Sequence, residues 1–223
     1  NMEQEGNSFQ NLADGFGTRG LLLQNSRATI RNIGGRVREE LEVAPKWTLA
    51  GGLGMEQSML SVQAVNHSYS PANVATTTRA GAERTFWNWA PELSLSWKPG
   101  TESRNWLRAS TGYGIPQLGQ LTTGIDGNPG TNFSLKPQKN VNFEIGTEGK
   151  LTKDLFVQLV GFWTFYRDEI ISVTNQATQR AFSANADSSE YRGIELFYDW
   201  RPFAGARLSG AYTHIDARYI NFN

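Results

Sequence analysis

The chain has 223 residues, as many acidic as basic side chains, no cysteine and 12% aromatic residues. The neutral net charge gives no reason to expect nucleic-acid binding, and the absence of cysteine excludes disulfides and thiolate metal sites. No run of eighteen apolar residues occurs, which excludes a transmembrane helix. A transmembrane strand alternates apolar and polar residues, so the low mean hydropathy leaves a membrane barrel possible.

The first part of the chain carries few strand signals. The sequence predicts that residues 1–26 form a loop or a poorly ordered segment and that strands begin at Arg27. Between Arg36 and Val43 charged side chains alternate with mostly apolar ones, which places the two kinds on opposite faces of a strand.

A turn at Pro45 leads into the next predicted strand. This strand starts at Trp47, carries an outer apolar row and continues toward Val65. The polar stretch 66–83 is predicted to be a loop.

The clearest predicted strand runs from Arg84 to Lys98. Trp87 and Trp97 lie ten residues apart on one face, about 33 Å along a strand. Tilted by about 40°, this distance covers roughly 25 Å, the height of the apolar band between the aromatic girdles of an outer-membrane barrel. A sandwich strand with tryptophans in its core is the alternative. Pro91 lacks an N–H group and predicts weakened pairing in either case.

The second half of the chain continues the pattern. A strand over Asn105–Tyr113 is followed by a long loop, Gly114–Lys136, and by a hairpin within Leu135–Arg167. On the first strand of that hairpin Val141, Phe143 and Ile145 alternate with Asn142, Glu144 and Gly146, so Glu144 and Glu148 are predicted to face a lumen. Further strands carry Ile194–Trp200 and Arg207–Tyr219.

The connections between predicted strands differ at the two ends. Short turns fall near Pro45, Pro99, Thr152 and Pro202, whereas the other connections are long and polar. This asymmetry is typical of an antiparallel up-and-down meander whose ends face different environments. The sequence therefore predicts an all-β, antiparallel up-and-down transmembrane β-barrel, of which eight or nine strands are present.

Catalytic and metal-binding patterns are weak. Glu144 and Glu148 are about 13 Å apart on a strand, farther than the carboxylate pairs of glycosidases. His214 and Asp216 share a strand face, but no further histidine or cysteine lies near them in the sequence. No G-x-S-x-G motif occurs. We therefore expect no enzyme activity, no catalytic residue, no metal site and no cofactor.

Four stretches resemble TonB-dependent outer-membrane receptors. They are, in chain order, NWLRASTGYGIPQLGQL (105–121), LKPQKNVNFEIGTEG (135–149), FWTFYRDEII (162–171) and NADSSEYRGIELFYDWRPFAGARLSGAYTHIDARY (185–219). The sequence departs from the family pattern at Ile115, where alanine is usual, and at Asp187, where glycine is usual.

The resemblance implies part of a 22-stranded barrel in the bacterial outer membrane. Such receptors take up ferric siderophores or similar scarce nutrients and depend on the TonB complex, which acts through a plug domain. No plug-like region or TonB box is recognised here, and the chain is expected to be a fragment, with 27–223 in the barrel. Lipid and lipopolysaccharide, a small-molecule ligand and the TonB complex are the expected partners, and no nucleic acid.

The same resemblance suggests site residues. Loop tips and the inner wall would contact an anionic ferric complex, through aromatic and arginine side chains. The candidate ligand contacts are Tyr69, Arg79, Arg84, Tyr113 and Arg180. The candidate membrane-girdle aromatics are Trp47, Trp87, Trp89, Trp97, Trp163 and Trp200.

Three alternative functions stay open from the sequence alone. An outer-membrane barrel enzyme would need a catalytic constellation outside this chain. A porin-like channel would use the same kind of wall without active transport. A soluble secreted β-sandwich binding module would purify without detergent.

Overall fold

The computed structural model describes residues 2–11 and 19–221. These residues form nine strands and one short helix: β1 (Met2–Asn11), β2 (Arg19–Ala44), β3 (Trp47–Tyr69), β4 (Ala75–Gly100), β5 (Ser103–Gly114), α1 (Leu118–Leu121), β6 (Gln138–Thr152), β7 (Leu155–Thr174), β8 (Ala181–Trp200) and β9 (Leu208–Asn221). In this part of the chain, no helix has the length and apolar character needed to cross a bilayer.

All nine strands belong to one sheet. Each strand pairs antiparallel with the next one in the chain, in the order β1 to β9. Within the described residues β1 and β9 are therefore the two edges. The arrangement is an up-and-down meander, and it confirms the predicted all-β antiparallel topology and the expected number of strands.

The predicted loop at 1–26 is wrong for most of its length. Residues 2–11 form β1, and residues 19–26 belong to β2, whereas 12–18 lie outside the described residues. β1 contains mostly polar residues, so it gives no apolar period-two signal.

The predicted loop at 66–83 is wrong as well. β3 continues to Tyr69 and β4 begins at Ala75, which leaves only 70–74 as the connection. β2 and β4 have 26 residues each, more than twice the 9–11 that a tilted strand needs to cross a bilayer. Their ends therefore extend beyond the apolar layer, where polar side chains are expected.

The two ends of the sheet differ in part as predicted. At one end, which we call the short-turn end, tight connections lie at 45–46, 101–102 and 153–154, whereas the connection predicted as a short turn near Pro202 spans 201–207. At the other, the long-loop end, the connection between β5 and β6 spans 115–137, but those at 70–74 and 175–180 are shorter than predicted.

The faces of the sheet differ in polarity. The outer face carries Trp87, Trp89 and Leu93 of β4, each more than half exposed. The inner face carries the alternate residues of the same strand, among them Asn88, which is buried, and Glu92. Period-two alternation thus places apolar and polar side chains on opposite sides, as the sequence predicts.

This polarity inverts partway along β2, β3 and β4. Ile33, Gln57 and Trp87 are neighbours in one cross-strand row. Between this row and the short-turn end the outer face of these strands is apolar apart from Glu39. Toward the long-loop end the outer row becomes polar and the inner row apolar: the outer residues include Arg31, Ser61, Gln63, Glu83 and Thr85, and the inner ones include Ala28, Ile30, Leu60, Val62 and Phe86.

The pairing of β4 with β5 ends next to a proline. Their ladder runs from the short-turn end to the pair formed by Glu92 and Ser110, and Pro91 is the next residue of β4. Pro91 still pairs with Leu53 of β3 on its other side. Because proline has no N–H group to donate, β4 and β5 separate from this point, which agrees with the weakened pairing predicted from the sequence.

A glycine on the inner face accommodates a tryptophan. Trp106 of β5 pairs with Gly146 of β6, and a Cβ on Gly146 would overlap its indole ring. Two contacts fix that ring: its Nε1 donates to Glu144 Oε1 at 2.6 Å, and the Arg104 guanidinium lies 4.8 Å from the ring centroid. The indole therefore cannot shift without losing both contacts.

We predict that Gly146→Ala lowers the free energy of unfolding by about 1–3 kcal/mol, the usual effect of overpacking. Denaturant unfolding of the complete protein in detergent measures this change. Gly161→Ala is the matched control, since a Cβ there meets only Ile145 Cγ2 at 3.4 Å, an ordinary contact. Adding Trp106→Leu to Gly146→Ala removes the indole ring and should restore stability. Equal stability of Gly146→Ala and Gly161→Ala would contradict the predicted overlap.

Candidate functional site

The connection between β5 and β6 folds back onto the inner face. We call residues 115–137 the seated loop. Its helix α1 and its residue Leu135 pack into an apolar cluster at the long-loop end. The buried members are Ala28, Leu60, Val62, Leu118, Leu121 and Leu135, and Ile30, Phe86 and Phe133 pack against them. This cover explains the apolar inner rows of β2, β3 and β4, because burial of apolar side chains there is favourable.

Two buried amides hold the seated loop from opposite sides. Gln24 of β2 donates through Nε2 to the carbonyl oxygens of Thr122 at 3.0 Å and Gly130 at 3.1 Å. Asn132 Nδ2 donates to the carbonyl oxygen of Ser183 in β8 at 2.6 Å. β2 and β8 are far apart in the sheet order, so the loop bridges the inner face.

Asn185 of β8 clamps the end of the seated loop. Its Oδ1 accepts the backbone N–H of Lys136 at 2.8 Å, and its Nδ2 donates to the Lys136 carbonyl at 3.0 Å and to the Asp168 carbonyl at 2.7 Å. Asp168 adopts a positive φ of 52°. The following residue, Glu169, then accepts the Tyr191 hydroxyl at 2.7 Å.

The tip of the seated loop binds the β7–β8 hairpin. Gly127 has a φ of 73°, and a Cβ there would overlap Arg180. The Arg180 guanidinium donates to Asn128 Oδ1, and the Thr178 hydroxyl donates to the Asp126 carbonyl at 2.6 Å. The side-chain and backbone N–H groups of Asn128 donate to the Asp126 carboxylate and hold its pKa below the ordinary range. The positive φ of Gly127 and the close contact with Arg180 both require glycine at this position.

A polar cavity lies between the seated loop and the first two strands. Its volume is about 620 Å³. Most of the side chains around it are amides and hydroxyls, and Glu5 is the single carboxylate among the lining residues: the polar set is Gln4, Asn7, Ser8, Gln24, Ser26, Gln117, Thr122 and Thr123. Such groups both donate and accept hydrogen bonds, so the cavity suits a polar ligand of small-molecule size.

A charge cluster lies on the inner face nearer the short-turn end. Glu92 accepts from Arg36, from Arg38 at 3.4 Å and from Arg108 at 3.2 Å. Arg36 and Arg38 reach it across β3 because Gly52 lies between them, and a Cβ on Gly52 would come within 2.7 Å of the carboxylate. One carboxylate thus serves three guanidinium groups, and Arg38 also donates to Glu40 at 2.8 Å.

Two of the predicted ligand contacts hold the seated loop. Arg84 donates to the Leu135 carbonyl at 3.1 Å, and Arg180 donates to Asn128 as described above.

The other predicted contacts are dispersed. The Tyr69 hydroxyl donates to the Leu22 carbonyl at 2.9 Å, and the Tyr113 hydroxyl lies beside the Glu56 carboxylate. Arg79 is exposed on the outer face. None of the five predicted residues lines the polar cavity, and their contact with a ligand stays a prediction.

The six predicted girdle tryptophans all lie on the outer face and are exposed. Trp47 and Trp97 stack near the short-turn end, with ring centroids 5.8 Å apart, and Trp200 ends β8 at the same end. The full set is Trp47, Trp87, Trp89, Trp97, Trp163 and Trp200, with exposed fractions between 39% and 56%. Their contact with the membrane interface stays a prediction. Trp106, the seventh tryptophan, lies on the inner face.

The sequence did not single out the residues that hold the seated loop. Gln24 lies in the stretch predicted as a loop, so nothing in the pattern marks it as an anchor. Asn132 and Asn185 carry a weak signal, because asparagine side chains often bond to backbone groups in irregular segments. Asn185 also begins one of the stretches that resemble the receptor family.

Comparison with known proteins identifies the protein family to which this sheet belongs. The family model described as "TonB dependent receptor-like, beta-barrel" matches residues 2–223. Solved structures with the same fold include the ferric yersiniabactin uptake receptor FyuA of Yersinia pestis, with a TM-score of 0.65, 18% identity, and coverage of 99% of this chain and 32% of that one.

Two further structures are similar. The copper transporter OprC has a TM-score of 0.69 and 12% identity, over 97% of this chain and 34% of that one. The ferric-catecholate import receptor Fiu of Escherichia coli K12, in its closed form, has a TM-score of 0.69 and 16% identity, over 99% of this chain and 34% of that one.

The chain belongs to the TonB-dependent receptor family, as part of its β-barrel. It spans about a third of the length of the structures it matches. This membership confirms the predicted transmembrane barrel and the location in the bacterial outer membrane. The family consists of receptors and transporters rather than enzymes.

We predict that Asn185→Asp releases the end of the seated loop. A carboxylate cannot donate to the two carbonyl groups that Asn185 Nδ2 now binds, and it would repel them. Deuterium exchange of the full-length receptor should become roughly ten- to a hundredfold faster within the loop, since a lost hydrogen bond is worth about 1 kcal/mol and an unpaired carbonyl somewhat more.

Asn73→Asp is the matched control for that measurement. Asn73 lies in the exposed connection between β3 and β4, at a φ of 57° that aspartate tolerates, and its side chain has no partner in the described structure. Unchanged exchange of the seated loop in Asn185→Asp would show that the clamp does not hold it.

Proposed function

We propose that the complete protein is a receptor for the active uptake of a ferric siderophore or a similar scarce nutrient. The TonB complex would supply the energy through a plug domain. The observation that carries the proposal is the seated loop, which narrows the inner space at the long-loop end and borders a polar cavity. A cavity of small-molecule size that is lined by polar groups is the kind of site in which a receptor binds its ligand.

Three guanidinium groups on the inner wall support an anionic ligand. Arg36, Arg38 and Arg108 bind the carboxylate of Glu92, Arg38 also binds Glu40, and the three arginine side chains are between 43% and 58% exposed. Exposed guanidinium groups form charge-assisted hydrogen bonds to anions. Ferric complexes of anionic chelators have the matching charge.

The names of similar structures point in the same direction. FyuA and Fiu are receptors for ferric complexes, and OprC transports copper. At 12–18% identity these likenesses support the fold, so the identity of the ligand belongs to the proposal.

The proposed ligand contacts combine two sets. The cavity side chains, including Gln4, Gln117 and Thr123, would bond to the ligand directly. Among the residues predicted from the sequence, Arg84 and Arg180 would act by holding the seated loop. Tyr69 and Tyr113 would contact ligand that enters from the long-loop end, and Arg79, on the outer face, would contact ligand before it reaches the inner space.

Uptake assays test the proposal. We predict that deleting the complete gene abolishes uptake of at least one radiolabelled ferric chelate from a chemically diverse panel. Deleting the TonB gene should abolish uptake of the same chelate. Intact uptake of every chelate by the deletion strain would contradict the proposal, as would uptake that survives loss of TonB.

A cavity-filling variant locates the ligand. Gly119 lines the polar cavity, and a Cβ there meets no atom within 4 Å. Gly119→Trp should therefore fold normally and lower the affinity for the transported chelate at least tenfold by occupying the cavity. Gly51→Trp is the matched control, because Gly51 has the same free space but faces outward. Equal uptake by both variants would exclude this cavity as the ligand site.

A further inference from the structure

A cleft lies on the outer face beside the point where β4 and β5 separate. Beyond Pro91 the two strands no longer pair, and a concavity of about 730 Å³ is lined by residues of β4 to β9. Its lining includes six outward-facing apolar or aromatic residues: Trp89, Pro91, Val141, Phe143, Phe165 and Ile220. Lys139 and Arg167 also line the cleft, on the side of the long-loop end.

Lys139 and Arg167 form an unusual pair. They lie directly opposite each other on β6 and β7, both side chains are exposed, and neither makes an ion pair within the described structure. Like charges opposite each other in a sheet are destabilising, so an anion bound between the two groups would stabilise the pair.

The neighbouring carboxylates do not supply this anion. Glu190 accepts the Trp163 indole N–H at 3.3 Å, and Asp168 binds the Lys136 ammonium at 3.4 Å. Farther along the same face Asp216 is shared by two guanidinium groups, those of Arg192 and Arg218. This part of the outer face therefore carries more positive than negative charge.

The distance of Lys139 and Arg167 from the short-turn end gives their level relative to the membrane. Trp200 pairs with Leu155, the first residue of β7, and Arg167 lies twelve steps along the strand from Leu155. At about 3.3 Å per residue and a tilt of about 40°, Arg167 lies roughly 30 Å above Trp200. The apolar band of such a barrel is about 25 Å tall. Lys139 and Arg167 therefore lie at the level of the lipid headgroups.

We propose that this cleft binds the lipid A part of lipopolysaccharide in the outer leaflet. Acyl chains lie against Trp89, Phe143 and Phe165, and a phosphate group of the headgroup bridges Lys139 and Arg167. Guanidinium and ammonium groups are the usual partners of phosphate, and the bridge removes their mutual repulsion. The site is independent of the transported ligand, because it faces away from the lumen.

Lipid titrations of the purified full-length receptor in neutral detergent test the site. The probes are diphosphorylated lipid A, the same lipid without phosphates, and inorganic phosphate. The double variant Lys139→Gln/Arg167→Gln should bind diphosphorylated lipid A roughly ten- to thirtyfold more weakly, which is the usual contribution of two basic residues near an anionic lipid surface. Its affinity for the dephosphorylated lipid should not change.

The matched control removes two positive charges elsewhere. Lys98→Gln/Lys153→Gln lies near the short-turn end and should bind both lipids as the unmodified receptor does. The charge-conserving variant Lys139→Arg/Arg167→Lys should retain binding, which separates loss of phosphate contact from loss of folding. An unheated electrophoretic mobility check identifies folded barrels.

Three results would overturn the proposal. An equal loss of affinity in the two charge-removing variants would show unspecific attraction. An equal loss for lipid with and without phosphates in Lys139→Gln/Arg167→Gln would exclude a phosphate contact. Inorganic phosphate that binds as tightly as lipid A would exclude a lipid site. The proposal itself expects that Trp89→Ser weakens the binding of both lipids, because this change removes an apolar contact with the acyl chains.

Discussion

The structure depends on the backbone hydrogen bonds of its sheet. Lipid offers no partners for N–H and C=O groups, so every strand in the apolar layer must pair with its neighbours. Sequential antiparallel pairing meets this need with short connections, and each strand then shows one face to lipid and the other to the lumen. Side-chain alternation follows from that constraint.

The constraint explains which parts of the fold could be predicted. Within the membrane layer the contrast between faces is strong, so the strand around Trp87 and Trp97 and the hairpin within Leu135–Arg167 were predicted correctly. Beyond Ile33, Gln57 and Trp87 the outer face meets water and the inner face meets the seated loop, so the alternation inverts. A search that expects apolar residues on the outer face of every strand predicts loops at these strand ends. The incorrect loop predictions at 1–26 and 66–83 have this cause.

The candidate site was less predictable, for a different reason. Its residues come from strands that are far apart in the sheet, and the seated loop brings them together. Gln24 has no local pattern and Asn185 has only a weak one, because their roles depend on where a distant loop ends. Arg84 and Arg180 were predicted as ligand contacts from residue type and position alone. In the structure both side chains donate hydrogen bonds to the seated loop. A guanidinium group can donate to a carbonyl or amide oxygen as well as to an anion, so residue type does not distinguish the two roles.

The cleft shows how a membrane wall tolerates an opened ladder. A gap between β4 and β5 would normally leave donors and acceptors unpaired in lipid. Pro91, at the first unpaired position, has no N–H group to leave without a partner, and the Thr111 hydroxyl donates to the Trp89 carbonyl at 3.4 Å. Proline thus allows the strands to part without an orphaned donor at that point. The opened ladder adjoins the depression that Lys139 and Arg167 line, so the residue that is unfavourable for pairing lies at the border of the proposed lipid site.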